Sequence, residues 1–452
     1  MFRRKRDMDL LLVDSKIYEP ANTYLSITFA TFCIVDMVGL FPVIALPRAI
    51  IDCGWLGLPL AIGVLSTEIY TAILLGKCWI LSEKLDHSIN LKKRCPYGAI
   101  VELAFGKKLS NYVKFILDLS IFGASISDLL IASQNLQIIG LKMSSYETNI
   151  SYCYWLIIIG VSISPIMWFG SPKDLKIIGI TSVSVVFLTS FLTWLSISSV
   201  NDVRVRIPEP SWESIGIAYG ILAFQFDVHP MLLSVQMDMK NKRDISKAII
   251  LAFIMSGSIC LITCLFCYLH LGDSVEYNTL QSLPQSFVLD LALCLSTIQV
   301  CLSMAMGSTS LFQDIEESLR IEPEFSWRRA GLRTGTVLLA VALGEAVPRA
   351  ELLMGLVGGA LTGQLMFLFP PLLYWRLRAM SSSTPGYGSI GTASTPAPDR
   401  THHLVLVAVV AVGLAATFCS TYFAFRSTLQ YAEFVPSCLI NSTAASEFVS
   451  QV

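Results

Sequence analysis

Long apolar runs separated by short polar segments divide this chain from end to end. A helix that crosses a bilayer takes about 20 mostly apolar residues. Such runs lie near 25–47, 56–80, 111–140, 153–170, 175–199, 213–235, 246–271, 285–312, 330–347, 350–375 and 403–426. They predict about eleven transmembrane helices. Composition agrees: 54% of the 452 residues are hydrophobic and 14% are charged, against about 25% charged in soluble domains. The class read from this pattern is an all-α membrane protein whose first partner is the lipid bilayer.

Charge then orients the runs. Arg3, Arg4, Lys5, Arg6 and Lys16 precede the first helix, and Lys92–Arg94, Lys107, Lys108, Lys240, Lys242, Arg243, Arg320, Arg328 and Arg329 lie in alternate loops. The positive-inside rule predicts a cytosolic N-terminus, and an odd helix count then predicts an extracellular or lumenal C-terminus. Arg204 and Arg206 run against this, with Asp202, Glu209 and Glu213 around them. The two N-x-[S/T] sequons, at Asn149 and Asn441, both fall on the predicted outer side and are expected to be glycosylated. Cys153 and Cys438 fall on that side too, where a disulfide is permitted. A net charge of −1 gives no basic surface for nucleic acid. The sequence offers no metal-ligand spacing, nucleophile elbow or phosphate loop, so it predicts neither an enzyme nor a cofactor.

Before the first run, 1–24 reads as a cytosolic tail without an apolar signal core. A linker expected over 376–402 contains the Ser-, Thr-, Gly- and Pro-rich stretch Met380–Arg400, whose composition predicts disorder. It holds Tyr387-Gly388-Ser389-Ile390, the pattern of a tyrosine-based sorting signal, and Asp7 with Leu11-Leu12 fits an acidic dileucine signal. Sorting adaptors are the expected partners of both, on endolysosomal or vesicular membranes as well as the plasma membrane. The final 427–452 is an outer tail.

Two runs are unlike lipid-facing helices. Ile34–Ala49, IVDMVGLFPVIALPRA, carries Asp36, Gly39, Pro42 and Pro47; Ile217–Met231, IAYGILAFQFDVHPM, carries Gly220, Gln225, Asp227, His229 and Pro230. Proline removes a backbone donor. A spanning helix tolerates that only where protein or a wet cavity satisfies the freed groups. An ionisable residue at the helix centre adds a cost of about 2.5–3.5 kcal/mol on insertion scales. They are the first and sixth runs, matching positions of two five-helix halves. Interrupted segments so placed are the best sequence pointer to a transporter's binding site. Half-helix N-termini there would meet a substrate carboxylate, and free carbonyls a cation or ammonium.

Leu46-Pro47-Arg48-Ala49, Gly54-Trp55-Leu56-Gly57, the Tyr70–Cys78 stretch YTAILLGKC, Tyr97 and Ala104-Phe105-Gly106-Lys107 together resemble the amino acid/auxin permease family. So do Phe224-x-Phe226-x-x-His229-Pro230 leading to Met239, then Gly272-Asp273 and Leu283-Pro284. The resemblance spans roughly 25–375. It implies a leucine-transporter-like core, a five-plus-five inverted repeat of helices with one more helix at 403–426, and secondary transport of amino acids. It also raises helix 8, where Thr297 and Ser303 offer hydroxyls. Departures from the family pattern are Leu40 and Pro42 in place of small glycines, Asp36 in place of Asn, and Asp227 in place of a small residue.

The substrate-binding candidates are therefore Asp36, Val38, Gly39, Leu40, Phe224, Phe226 and Asp227, and Asp36, Asp128, Asp227 and His229 are candidates for proton coupling or gating. Intramembrane carboxylates favour a functional reading, and histidine titrates near neutral pH. Glu68, Asp118 and Asp290 are weaker candidates for cavity-facing acids, and Glu345 with Arg349 reads as a surface pair. The extra carboxylates favour a cationic partner: a proton first, sodium second, with a small neutral amino acid or an amine-bearing relative as substrate. The competing expectation is a sensor that binds substrate with little transport.

Overall fold

A computed structural model describes residues 24–91, 95–143, 150–168, 175–200, 206–322, 324–347, 349–382 and 400–431. Asn149, Asn441, Cys438, Asp7, Leu11, Leu12 and the Tyr387–Ile390 motif lie outside the described residues. Among the described residues the chain is helical throughout, save one isolated bridge between Leu25 and Met239.

The first run is three helices rather than one: α1 (Ile27–Val38), α2 (Phe41–Ile44) and α3 (Leu46–Asp52). Ser26 caps α1, its hydroxyl accepting the Phe29 N–H at 3.3 Å. Gly39 ends it with φ +60°, a left-handed conformation that costs glycine little. Pro42 and Pro47 stand in the first turns of α2 and α3, where a missing N–H is an orphan in any case. The prolines thus mark restarts of helix.

The remaining helices are α4 (Gly57–Leu85), α5 (Pro96–Phe105), α6 (Lys107–Met143), α7 (Tyr152–Trp168), α8 (Leu175–Ser198), α9 (Trp212–Gln225), α10 (His229–Asp238), α11 (Ile245–His270), α12 (Phe287–Ser318), α13 (Trp327–Ala346), α14 (Ala350–Val357), α15 (Phe369–Ser382) and α16 (Arg400–Tyr431). Between α14 and α15 the chain continues through two π-helical stretches, Gly358–Thr362 and Gln364–Leu368. Eight helical stretches among the described residues are long and apolar enough to cross a membrane; three further apolar helices are shorter. The shorter ones include α1 and α7, parts of runs expected to span, because the break at Gly39 and the end at Trp168 cut them down.

The expected 376–402 linker needs correction at both ends. Helix α15 continues to Ser382 and α16 begins at Arg400, so only 383–399 falls outside the described residues. Leu377 is fully buried and Arg376 donates to the Ala104 carbonyl at 3.3 Å, which holds the last turns of α15 against α5. The tail expected from 427 likewise starts later, since α16 runs to Tyr431.

Two sets of bonds fix the first broken run. At one end the Leu25 N–H donates to Asp238 O (2.8 Å) and the Lys240 N–H to Leu25 O (3.1 Å), joining the entry of α1 to the exit of α10. At the other, Arg48 pairs with Asp52 (3.0 Å) and donates to the carbonyls of Asp273 (3.0 Å) and Val275 (2.6 Å), while Thr279 donates to Ile44 O (2.9 Å). Helix α9 packs closely on the α14 region because neither side carries a side chain there. A Cβ on Gly358 would lie 1.8 Å from Gly220 O, and one on Gly220 2.5 Å from Gly355 O. Around this core the outward faces are apolar; Phe418 and Leu429 of α16, for instance, are 77% and 71% exposed.

Candidate functional site

Several buried polar residues of the interior lie at the two helix breaks. At the first, Asp36 closes α1 and is 1% exposed, with one carboxylate oxygen unpartnered. The Ser182 hydroxyl of α8 faces its carboxyl. Asp128 of α6, also buried, lies within electrostatic reach of it. From α12, Ser303 donates to the Asp36 carbonyl at 3.2 Å, so a hydroxyl takes up one of the carbonyls that the break at Gly39 frees. Gln299 lies one turn earlier on α12, and its amide is 3.5 Å from Ser182 Oγ. A Cβ on Gly39 would come within 3.1 Å of the Gln299 amide nitrogen. The positive φ favours glycine there, and a side chain would press on the Gln299 amide as well.

Val38 and Leu40, on either side of Gly39, are buried and apolar. Phe224 packs edge-on against Phe41 at 6.4 Å between centroids and so couples α9 to the first break. Phe226 instead stacks on Phe253 of α11 at 6.0 Å. Thr297 also points elsewhere: its hydroxyl donates to Leu293 O of its own helix at 2.8 Å. Of the two helix 8 candidates, only Ser303 reaches the break.

The second break falls at Phe226–Val228. Pro230 again stands in the first turn of the helix that restarts, α10. Asp227 is partly exposed. The Ser120 hydroxyl of α6 meets one of its carboxylate oxygens at 3.4 Å, and the other is buried without a partner. His229 is fully buried, its Nε2 3.1 Å from the Thr71 hydroxyl of α4 and its Nδ1 unpartnered. Thr71 also donates to the Glu68 carbonyl at 3.1 Å. Glu68 itself is 0% exposed and neither of its carboxylate oxygens has a partner among the described residues; Asp227 lies within electrostatic reach of it.

The structure thus divides the candidates into Asp36 with Asp128 and Asp227 with His229, and it separates Glu68 from the other weak candidates. Asp118 faces Asp314 and Lys114. Asp290 stands in the first turn of α12, where a carboxylate complements the helix dipole. Glu345 is not a surface residue: it is 6% exposed, with Oε1 3.3 Å from Cys153 Sγ, because α13 turns it onto α7. Cys153 is disulfide-bonded, while the other described cysteines are free. Thr71, Ser120, Ser182 and Gln299 were not anticipated; single hydroxyls and amides in spanning helices are common packing residues and carry no sequence signal by themselves.

Comparison with known proteins bears on the whole of this core. The chain is 23% identical over 399 residues to amino acid transporter AVT1J of Arabidopsis thaliana, covering 85% of this chain and 87% of that protein. To AVT1C of the same plant it is 20% identical over 342 residues, covering 74% of this chain and 60% of the relative. Among solved structures, MhsT in complex with L-phenylalanine superposes with a TM-score of 0.54 at 12% identity, over 87% of this chain and 98% of that one; at that identity the likeness concerns the fold. The family model described as transmembrane amino acid transporter protein matches residues 26–426. An integral, multi-pass membrane protein whose motifs, helices and matched span agree in this way belongs to the transmembrane amino acid transporter family, the amino acid/auxin permeases.

Proposed function

We propose that this protein carries amino acids across a membrane by proton-coupled secondary transport, with a small neutral amino acid or an amine-bearing relative as substrate. The observation that carries the reading is the first break. Asp36 and Asp128 are two buried acids within electrostatic reach of one another beside a helix interruption, where Gly39 comes close to Gln299. A substrate ammonium is the natural partner of such a pair, because buried charges need a counter-charge. The restart of helix after Gly39 supplies backbone donors for a carboxylate. Val38, Leu40 and Phe224 bound the apolar side of the space and would set the size of the side chain accepted.

The same reading takes the chain as eleven crossings, two inverted halves of five with α16 in addition, and places the first and second breaks at equivalent positions of the halves. It sets the N-terminus in the cytosol. Support comes from Cys153 at the start of α7, since a disulfide belongs to an oxidising compartment and that end of α7 is on the outer side in this orientation. Glycosylation of Asn149 and Asn441 would follow, and a shift in mobility lost on substitution of either asparagine tests it.

The experiment is uptake of labelled amino acids into proteoliposomes under an imposed pH gradient, with sodium varied independently. Accumulation that follows the pH gradient is expected. Accumulation that follows sodium alone would overturn proton coupling. Saturable binding with no uptake under any gradient would overturn transport.

A further inference from the structure

Glu68 is the feature of the interior that the proposed route for substrate does not use. It stands midway along α4, fully buried, with both carboxylate oxygens unpartnered. The groups around it come from several helices. Asp227 lies at the second break; Tyr219 of α9 is within electrostatic reach of Glu68, and Tyr97 of α5 within reach of Asp227. Thr71, one turn along α4 from Glu68, bonds the Glu68 backbone carbonyl and faces His229 Nε2, and Ser120 of α6 touches Asp227. The other acid of that stretch of α6, Asp118, faces Asp314 and Lys114 instead. Among the described residues, then, the charges that face Glu68 and Asp227 are each other, and no lysine or arginine acts on either.

Two carboxylates in one desolvated space without a cation cannot both ionise. His229 does not supply the missing charge. Thr71 has one hydroxyl hydrogen, and with that hydrogen on the Glu68 carbonyl it accepts from the Nε2–H of His229. Nδ1 is buried without a hydrogen-bond partner, so no acceptor is in place for the second N–H of an imidazolium. Two oxygens of Glu68, one of Asp227 and Nδ1 of His229 are buried without a hydrogen-bond partner, while the Ser120 hydroxyl and the His229 backbone N–H bear on the Asp227 carboxylate.

We propose that Glu68 and Asp227 form the acid pair that holds the transported proton. This rests on the proton-coupled reading above and assigns its ion to a place. One acid keeps its O–H and donates to the other's carboxylate. A second proton, arriving through the partly exposed Asp227, removes the remaining charge and makes the closed interior stable. Asp227 is at the junction of α9 and α10, whereas Glu68 is on the continuous helix α4. Movement of α10 relative to α4 therefore opens or closes the pair, and that links proton occupancy to the position of the second break.

The test uses the full-length protein in proteoliposomes, with Glu68→Gln, Asp227→Asn, the double variant and Glu68→Asp. Accumulation driven by a pH gradient is expected to fall by about tenfold or more in each single amide variant, the scale of ordinary coupling between two ligands. The double variant should be no worse than either single one, as for residues acting as a unit. Glu68→Asp should keep part of the gradient response. Infrared spectra of the purified protein at neutral pH provide a readout that does not need transport: a protonated carboxyl band present in the wild type should be lost in Glu68→Gln. If that variant is not produced, the band is read in Asp227→Asn. A wild type that ignores the pH gradient would overturn the transport reading and this one with it. A proton-driven wild type beside a Glu68→Gln variant with undiminished accumulation, or with the band intact, would overturn the acid pair alone.

Discussion

Glu68 and Glu316 are both glutamates buried inside helices, and their surroundings are opposite. Glu316, near the end of α12, is 4% exposed and lies between two arginines of α13, with Arg333 Nε at 2.7 Å and Arg329 Nε at 3.0 Å. Arg333 is itself 1% exposed; it reaches the Met167 carbonyl at 2.5 Å and lies 5.0 Å above the Phe312 ring. That acid ties α12, α13 and α7 together. Glu68, 0% exposed, has among the described residues no cation beside it and no hydrogen-bond donor on its carboxylate. A buried acid with its counter-charge holds helices in place; one without it is kept for what it can bind.

The largest effect should come from breaking the compensated site. Arg333→Met leaves Glu316 with Arg329 alone and strands the Met167 carbonyl. Removing one partner of a buried pair costs about 3–5 kcal/mol, and Arg329 should hold the loss to the lower part of that range. Thermal melting of the purified protein should show a drop of several degrees, with transport per folded molecule retained. A melting curve unchanged from the wild type would mean that the pair is solvated and that the contrast with Glu68 is not one of burial.

At the uncompensated first break the same kind of loss should appear in binding rather than in stability. Asp36→Asn removes a carboxylate that has no cation beside it among the described residues and, on the proposed reading, meets the substrate ammonium. Hydrogen bonds to charged groups contribute about 1.5–3 kcal/mol, so substrate affinity should fall by roughly tenfold to a hundredfold with the melting temperature unchanged or raised. Isothermal titration against melting separates the two. Lost stability with intact affinity would move Asp36 to the structural side of the comparison.

How much of this was legible in the sequence follows from what each residue signals along the chain. The apolar runs gave the helices, since bilayer thickness sets their length. Pro42, Pro47 and Pro230 with Gly39 gave the breaks, because each residue type has few places in a helix. Asp36 and Asp227 stood out by lying in those broken runs. Glu68 did not. Helix α4 is apolar on most of its surface, so its pattern does not tell which side faces protein, and a lone acid there reads like Asp118 or Asp290. Only the approach of Asp227 from the second break sets it apart. Glu345 was misread for the same reason, because its burial depends on α7, which is remote in sequence. The π-helical turn at Gly358 left only a clustering of glycines, whose partner Gly220 is far away along the chain.

A smaller effect should separate the two hydroxyls of α12. Ser303→Ala removes the donor on the Asp36 carbonyl and leaves a carbonyl at the break unpaired, a loss of about 1 kcal/mol. Thr297→Ala removes a hydroxyl that bonds only within its own helix, whose carbonyl at Leu293 keeps its helical partner. Its effect should stay within about 0.5 kcal/mol. Substrate affinity should follow the same order, and equal effects from both would detach α12 from the first break.

A small change in stability should also come from Glu68→Gln, and it tests the comparison most directly. Glutamine keeps the shape of the side chain and replaces a carboxyl that must hold a proton by an amide that carries hydrogens permanently. The amide can donate to Asp227 as a protonated glutamic acid would, so no oxygen is newly stranded. Melting should therefore shift by no more than about 1 kcal/mol, because a neutral carboxyl has been replaced by a neutral amide of the same shape. Glu316→Gln is the same chemical change made between two arginines. There it removes the charge that both of them need, and it should lower stability by about as much as Arg333→Met does. One substitution, neutral at position 68 and damaging at position 316, would show that the two glutamates differ in their counter-charge and not in their burial. Equal losses at both would place Glu68 among the residues that merely hold the helices together.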